Sequence, residues 1–326
     1  MSFKDLKGQD KAISLLKFML RSKRLPPALL FWGEEGVGKR QAALTFAKAV
    51  NCLKELEDAC DECPACLKIN RHNHPDVYML PKDYMPQSTV ITIEEIRNLQ
   101  NYANLKIFEG KKKVFIIDEA HNLTAEASNA FLKILEEPPP DTLFILISSK
   151  PQLLFSTITS RCQKVRFSAM DKNELKVLLE KEYRLEPRLS HYLAFFYQGR
   201  LGASLRMKDK AVLREKNQII DWFINGRGYL SDDYLSEDKE KLKYFLEVML
   251  AWLRDIYLIK TGLPHSELIN IDRLEHLLRI MPHLSFYDLD TAINFLSEAS
   301  VYLEQNINPK LILANVKVKL WTRLYR

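Results

Sequence analysis

Hydrophobic positions change their rhythm part-way along this chain. Over the first half, short apolar runs stand between amphipathic stretches. The runs are ALLFWG (28–33), DVYML (76–80), VFIID (114–118), TLFILIS (142–148) and QKVRF (163–167). Runs of this length, apolar at successive positions, predict strands buried on both faces. Between them, residues 10–24, 41–51, 93–103 and 125–135 repeat apolar side chains at helical spacing, and prolines stop two of these stretches, at Pro26 and Pro138. Strands alternating with helices predict a parallel sheet covered on both faces. After about residue 168 the strands cease. Residues 172–206 read as short helices and 211–326 as longer ones, interrupted at 225–228 (NGRG) and 261–264 (TGLP). No internal repeat or low-complexity tract is visible.

At 326 residues the chain is too long for one simple core, so two or three domains are expected. The most apolar long stretch, 244–260, carries Glu247, Arg254 and Asp255, which suits a buried amphipathic helix and not a membrane span. The first residues, MSFKDLKGQD, have no apolar core of the kind a secretory signal needs. A cytoplasmic protein is expected. The net charge of +6 permits contact with nucleic acid without requiring it. Lys111, Lys112 and Lys113 form the most basic run, read as a solvated turn before a strand.

Chemistry concentrates at three places. The first is GEEGVGKR, where Gly33, Gly38 and Lys39 fit the phosphate-loop pattern G-x-x-x-x-G-K-[ST] and Gly36 adds a further glycine. The predicted strand before it and helix after it supply the required context. Glycines let backbone N–H groups close around phosphate oxygens, and Lys39 would reach the outer phosphates. The last position should be a hydroxyl that ligates Mg²⁺. Arg40 stands there, with donors only and no lone pair for a metal. The second place is VFIIDEAH, a buried strand ending in Asp118 and Glu119, the form that holds Mg²⁺ and polarises an attacking water. A plain surface turn after a core strand is the alternative, and the upstream loop in the expected order outweighs it. DEAH also spells the box of a helicase group, but that reading needs an intact hydroxyl in the loop and a second motor domain, and neither is visible.

The third place is a cysteine cluster. Four of the five cysteines, Cys52, Cys60, Cys63 and Cys66, lie within fifteen residues, enough thiolates for a closed tetrahedral Zn²⁺ site. An iron–sulfur cluster also takes four cysteines, but nothing nearby suggests redox work. His72 and His74 are close, although four cysteines already complete a shell. Cys162 stands alone and reads as an apolar filler. The segment around the cysteines is acidic, with Glu55, Glu57, Asp58, Asp61 and Glu62, which argues against a zinc module that grips DNA directly.

Taken in order, Gly8-Gln9, the GEEGVGKR loop, the cysteine insertion, residues 111–148 with their DEAH and EEPPP segments, and the Ser160-Arg161-Cys162 triplet resemble the AAA+ clamp-loader subunits of bacterial DNA polymerase III. The C-terminal WLRDIYLIKTG (252–262) resembles the collar of the same family with less specificity. The resemblance implies an AAA+ domain over 1–168 with the zinc insertion at 52–66, a helical lid over 169–209, and a helical collar over 210–326. It implies a place in a hetero-pentameric ring with gamma/tau and delta subunits, acting on the sliding clamp and on primer–template DNA through the complex, with no membrane role. It also implies that Arg161 enters a neighbour's ATP site as an arginine finger and that Ser148, or Ser149 beside it, takes the sensor place after the fourth strand.

Two departures sort the type within that family. Arg40 replaces the loop hydroxyl, and Gly202, within GRLGASL (199–205), stands where motor subunits carry a sensor arginine. Both agree with the delta-prime branch, a rigid ring member with weak or absent ATPase. Retained Asp118 and Glu119, the latter then vestigial, leave weak ATP or ADP binding open, while Mg²⁺ is disfavoured. The competing expectation is an active gamma/tau-type motor.

Overall fold

The computed structural model describes residues 1–22, 24–54, 57–81, 90–209, 211–225, 238–305 and 307–324. Glu55 of the acidic segment and Gly226 to Gly228 of the expected break lie outside these residues. The chain forms two compact units. One comprises Met1–Met170 with Arg200–Ala203, and the other Asp171–Gly199 with Ser204–Arg326.

In the first unit, strands β1 (Ala28–Trp32), β2 (Val77–Leu80), β3 (Lys113–Ile117), β4 (Thr142–Ser148) and β5 (Gln163–Arg166) form one parallel sheet in the order β2-β3-β4-β1-β5. All five apolar runs are strands. Successive side chains point to opposite faces, so the inner strands β1, β3 and β4 serve two cores, whereas the edge strand β5 buries Val165 in one of them. Leu29 and Phe31 of β1 join one cluster with Ala42, Ala43 and Phe46 of helix α2 (Lys39–Asn51) and Leu16 of α1 (Asp10–Ser22). Ala28 and Leu30 join the other, with Ile96 and Leu99 of α4 (Ile93–Asn104) and Phe131 of α5 (Ala125–Glu136). Two short helices lacked an apolar period of their own: α3 (Pro64–Asn70) between the cysteines and α6 (Ser156–Ser160) before β5.

The basic run before β3 is only in part the solvated turn expected from sequence, since Lys111 is exposed and Lys113 is buried. Lys111 Nζ bonds the carbonyl of Cys52, Lys112 Nζ pairs with Asp141 at 3.1 Å, and the buried Lys113 bonds the carbonyls of Tyr102 and Leu105 at the end of α4. The turn itself is held by Asp76. Its buried carboxylate accepts N–H bonds from Phe108 (2.9 Å), Glu109 (2.8 Å) and Gly110 (2.7 Å).

The second unit is helical throughout its described residues. It contains α7 (Lys172–Lys181), α8 (Pro187–Phe196), the second half of α9 (Leu201–Arg206), α10 (Ala211–Asn225), α11 (Lys239–Lys260), α12 (Leu274–Ile280), α13 (Phe286–Glu304) and α14 (Pro309–Leu324). The apolar 244–260 stretch is the body of α11, which packs on α10 and α13 and buries Trp252 completely. Asp255 is equally buried. Its carboxylate accepts from the N–H groups of Ile269 and Asn270 at 3.0 and 2.7 Å and from Asn270 Nδ2 at 2.9 Å, tying the following loop to the helix.

Burial alone would raise the Asp76 carboxyl, but its three N–H donors outweigh that and hold it below the usual aspartate range. The unfolded chain then binds the proton more readily than the folded one. The stabilisation is present above about pH 4 and is lost as pH falls through the lower folded value. Asp76→Ala, which strands three donors, is expected to cost about 3 kcal/mol in urea unfolding. Asp76→Asn should flatten the acid limb of the stability curve, and an unchanged limb would show that Asp76 is not its source.

Candidate functional site

Parallel strands deliver their carboxyl ends to one rim of the sheet, the usual place for a site in an α/β unit. Here the rim gathers Gly33–Gly38 after β1, Asp118 and Glu119 after β3, and Ser148 at the end of β4. The loop has positive φ at Gly33, Gly36 and Gly38 (146, 81 and 96°). A Cβ on Gly33 would lie 2.0 Å from the Phe167 carbonyl oxygen, so that close approach demands glycine. Gly38 caps α2 in the left-handed region, which aims the first N–H groups of the helix into the loop. Gln9 braces the assembly. Its Nε2 donates to the carbonyls of Val37 at 3.2 Å and Ser168 at 2.8 Å, and its Oε1 accepts from Ser168 N–H.

The loop is filled from within. Lys39 is buried, and its ammonium donates to the carbonyls of Gly33 and Glu34 at 2.7 and 2.6 Å. Burial draws its pKa down, while Glu119 and Asp118 oppose that. The Gly36 carbonyl accepts the N–H of Gly202 at 2.8 Å, and a Cβ on Gly36 would meet Ala203 Cβ at 2.8 Å. Arg200 Nε lies 3.9 Å from Glu34 Oε2. The stretch 200–203 therefore lies on the loop, and Gly202 stands there because a Cβ would sit 2.8 Å from the Gly36 carbonyl oxygen.

Arg40 faces Asp118, with Nε 3.6 Å from Oδ2. Burial pushes the Asp118 carboxyl up, and the guanidinium is the main opposing influence. This donor set does not suit Mg²⁺, because a metal at Asp118 would share its space with a cation that has no lone pair to give. Glu119, in the left-handed region at φ 48°, meets His121 Nε2 at 3.2 Å and Ser149 Oγ at 3.3 Å. Ser148 Oγ lies 3.2 Å from His121 Nδ1. Burial, with Lys150 and Lys39, holds the imidazole below its ordinary pKa. His121 is a bridge the sequence reading missed. Its only signal was a place in the DEAH string.

Arg161 lies elsewhere. It ends α6, two residues before β5, with one guanidinium nitrogen 3.0 Å from Glu136 Oε1 and another bonded to the Thr157 carbonyl at 3.1 Å. β5 runs beside β1 from Leu29↔Gln163 to Trp32↔Arg166. Arg161 is thus at the amino rim and the phosphate loop at the carboxyl rim, about 13 Å of strand apart.

Cys52 caps the end of α2, Cys63 caps the start of α3 with Pro64 following, and Cys66 lies in the first turn of α3. Their three sulfurs and that of Cys60 all lie within 4.8 Å of one another. Tetrahedral bonds of about 2.3 Å to zinc place sulfurs about 3.8 Å apart, so the cluster fits such an ion. The N–H groups of Cys63 and Cys66 point at the sulfurs of Cys60 and Cys63, at 3.3 and 3.5 Å. Burial works to raise the Cys63 thiol, but the backbone N–H groups of Leu53 and Cys66, with the neighbouring thiols of Cys66 and Cys60, hold it below its ordinary value. The cluster is anchored by the fully buried Lys48, whose ammonium pairs with Asp61 at 2.5 Å. His72 and His74 are not part of it, whereas the isolated Cys162 is buried in the α4/α5 core.

The purified chain is expected to carry about one metal ion per molecule by elemental analysis. Cys66→Ser should lose it and lower the melting temperature, as should a strong chelator acting on the parent chain. A metal-free parent that melts at the same temperature with and without added zinc would rule the site out.

The profile of the family "DNA polymerase III, delta subunit" matches residues 8–171, and that of its C-terminal part matches residues 233–319. The subunit delta′ of DNA polymerase III from Bacillus subtilis is 28% identical over 322 residues, covering 96% of each chain. Subunit tau/gamma from Haemophilus influenzae is 33% identical over 240 residues, which is 72% of this chain but only 34% of that protein. The crystal structure of a gamma subunit-related protein of DNA polymerase III from Thermotoga maritima shares the fold, with a TM-score of 0.53 at 19% identity over 96% of this chain and 99% of that one. By the family match along its first unit and again in its C-terminal helices, this chain belongs to the DNA polymerase III delta-subunit family.

Proposed function

We propose that this chain is the delta-prime member of a DNA polymerase III clamp loader, a ring subunit that hydrolyses little or no ATP and helps place the sliding clamp on primed DNA. The observation that carries the reading is Arg40 against Asp118. A hydrolytic site of this type needs a metal held by oxygen ligands beside the phosphates. Here a guanidinium takes that place, Lys39 is engaged by its own loop, and stretch 200–203 rests on Gly36. A full-length likeness to a delta′ chain supports the assignment of type, whereas the tau/gamma likeness stops at about a third of those proteins' length.

In this reading Arg161 serves a neighbour. Its position at the amino rim keeps it from its own loop, and its side chain is exposed, held at the surface by Glu136 and the Thr157 carbonyl. A guanidinium presented this way stabilises charge on a phosphate transferred in the adjoining subunit. The lid (169–209) and collar (210–326) would carry the ring contacts with gamma/tau and delta subunits, and DNA and clamp would be met by the assembled ring. The cysteine module, holding structural zinc, would brace the end of α2 and the turn before β3 through Cys52 and Asn51. Asn51 Oδ1 accepts from the N–H groups of Lys111 and Lys112 at 2.8 and 3.0 Å.

The alternative, a gamma/tau-type motor, keeps Lys39, Asp118 and Glu119 in its favour. The two separate cleanly. The isolated chain should turn over ATP at background rate, and turnover abolished by Lys39→Ala would establish the motor instead. In a ring reconstituted with its partner subunits, Arg161→Ala should lower clamp-stimulated ATPase by about a thousandfold at the site it faces. An unchanged rate in a fully assembled ring would remove the finger role.

A further inference from the structure

β2 is an edge strand. It pairs with β3 on one side, and its other side borders a groove of about 740 Å³. The groove wraps the strand from both faces of the sheet, since its walls include Leu44 of α2 on one face and Tyr102 and Phe115 on the other. In a parallel ladder, alternate residues turn both backbone groups to the same neighbour. The carbonyls of Asp76 and Leu80 accept from Val114 and Asp118, so those of Val77 and Met79 face the groove. The N–H of Val77 is spent on the His74 carbonyl at 3.2 Å. The Val77 carbonyl and the N–H and carbonyl of Met79 remain as an open ladder of three groups among the described residues.

The surroundings select a partner. Leu105 and Phe108 on the rim are 62% and 80% exposed, large apolar side chains left in water beside an apolar floor. Arg71 and Lys106 on the rim are exposed, and no carboxylate among the described residues pairs with either. Lys113 adds charge from beneath. The one carboxylate in the lining, Asp76, is occupied by its three N–H donors. The buried His74 lines the wall. Its Nδ1 accepts the N–H of Asp76 at 3.1 Å, which leaves the proton on Nε2; that atom makes no hydrogen bond, and Glu109 Oε1, itself paired with Lys68, lies 3.8 Å from it. The groove thus offers cations and an apolar floor, and the carboxylate in its lining is already occupied.

We propose that this edge of β2 is a docking site for an extended acidic peptide segment of a partner protein. The segment adds a strand through Val77 and Met79, seats a large apolar side chain over the floor, and sets carboxylates against Arg71 and Lys106. Single-stranded nucleic acid suits the cations but not the ring faces. Tyr78 and Tyr102 already stack on each other at 5.3 Å, and the strand edge offers backbone hydrogen bonds that bases do not need.

The test uses the full chain and a fluorescent, end-capped peptide that alternates acidic and large apolar residues, followed by anisotropy. Binding is expected with a Kd of about 100 μM or tighter. Arg71→Glu combined with Lys106→Glu, both on the exposed rim, should weaken it about tenfold and favour a lysine-bearing twin of the peptide. Met79→Pro removes the outward N–H without touching the β3 ladder and should weaken it by a similar factor, about tenfold. Should Met79→Pro fail to fold by circular dichroism, the charge-reversed chain decides alone. The proposal is overturned by no binding at about 1 mM peptide, by equal binding to the charge-reversed chain, or by displacement of the peptide by oligothymidylate at lower concentration.

Discussion

A carboxylate drawn out of water must find positive charge or hydrogen-bond donors or give up its own charge, and at the half-buried Asp118 that requirement organises the carboxyl rim of the sheet. The chain meets it with Arg40. The contact at 3.6 Å is an ion pair without hydrogen-bond geometry, and the guanidinium is about half exposed, so its value as stabilisation is small. Its importance is one of occupancy. A site closed by its own cation has no need of a metal, and a loop whose lysine and carbonyls are bonded to each other has little to gain from phosphate. Conformational response to a ligand scales with the difference in affinity between two states. On the reading proposed above that difference is small, and the rim would serve as a fixed surface of the ring.

The same economy appears at the far end of α2. Helix ends leave backbone groups unpaired, and here Cys52 closes the helix while Asn51 beside it takes two N–H groups from the turn before β3. Lys111 returns a bond to the Cys52 carbonyl. A metal held by the four sulfurs would therefore fix two termini at once, the exit of α2 and the entry of β3. The module is an extension of the core and not an appendage, which accounts for its acidic surface being turned to internal pairs such as Lys48 with Asp61.

Much of this was legible in the sequence because the signals are local. Five predicted runs became five strands, and the inner ones, β1, β3 and β4, are near-continuously apolar because both of their faces are covered. Four cysteines converged because Pro64 and the caps of α2 and α3 bend a short segment back on itself. What stayed hidden depends on contacts distant in sequence. Nothing in GRLGASL announces that Gly202 is required by the carbonyl of Gly36, 166 positions away. His121 looked like a letter in a motif and proved to join Ser148 to Glu119. The lysines at 111–113 looked solvated because composition cannot show that three carbonyls and an aspartate await them.

The sheet therefore separates what the chain withholds from what it offers. Its carboxyl rim is closed by Arg40, Lys39 and residues 200–203. Arg161 stands at the amino rim, and the edge of β2 lies open beside Leu105 and Phe108. Exposed apolar side chains and unpaired strand groups are liabilities that natural sheets cover, shorten or charge. Here the edge carries cations without matching acids, a form of protection that also selects its partner. The phosphate-loop rim is satisfied from within, by Arg40 on Asp118 and by Lys39 on its own loop carbonyls, while backbone groups along the outer edge of β2 find no partner among the described residues.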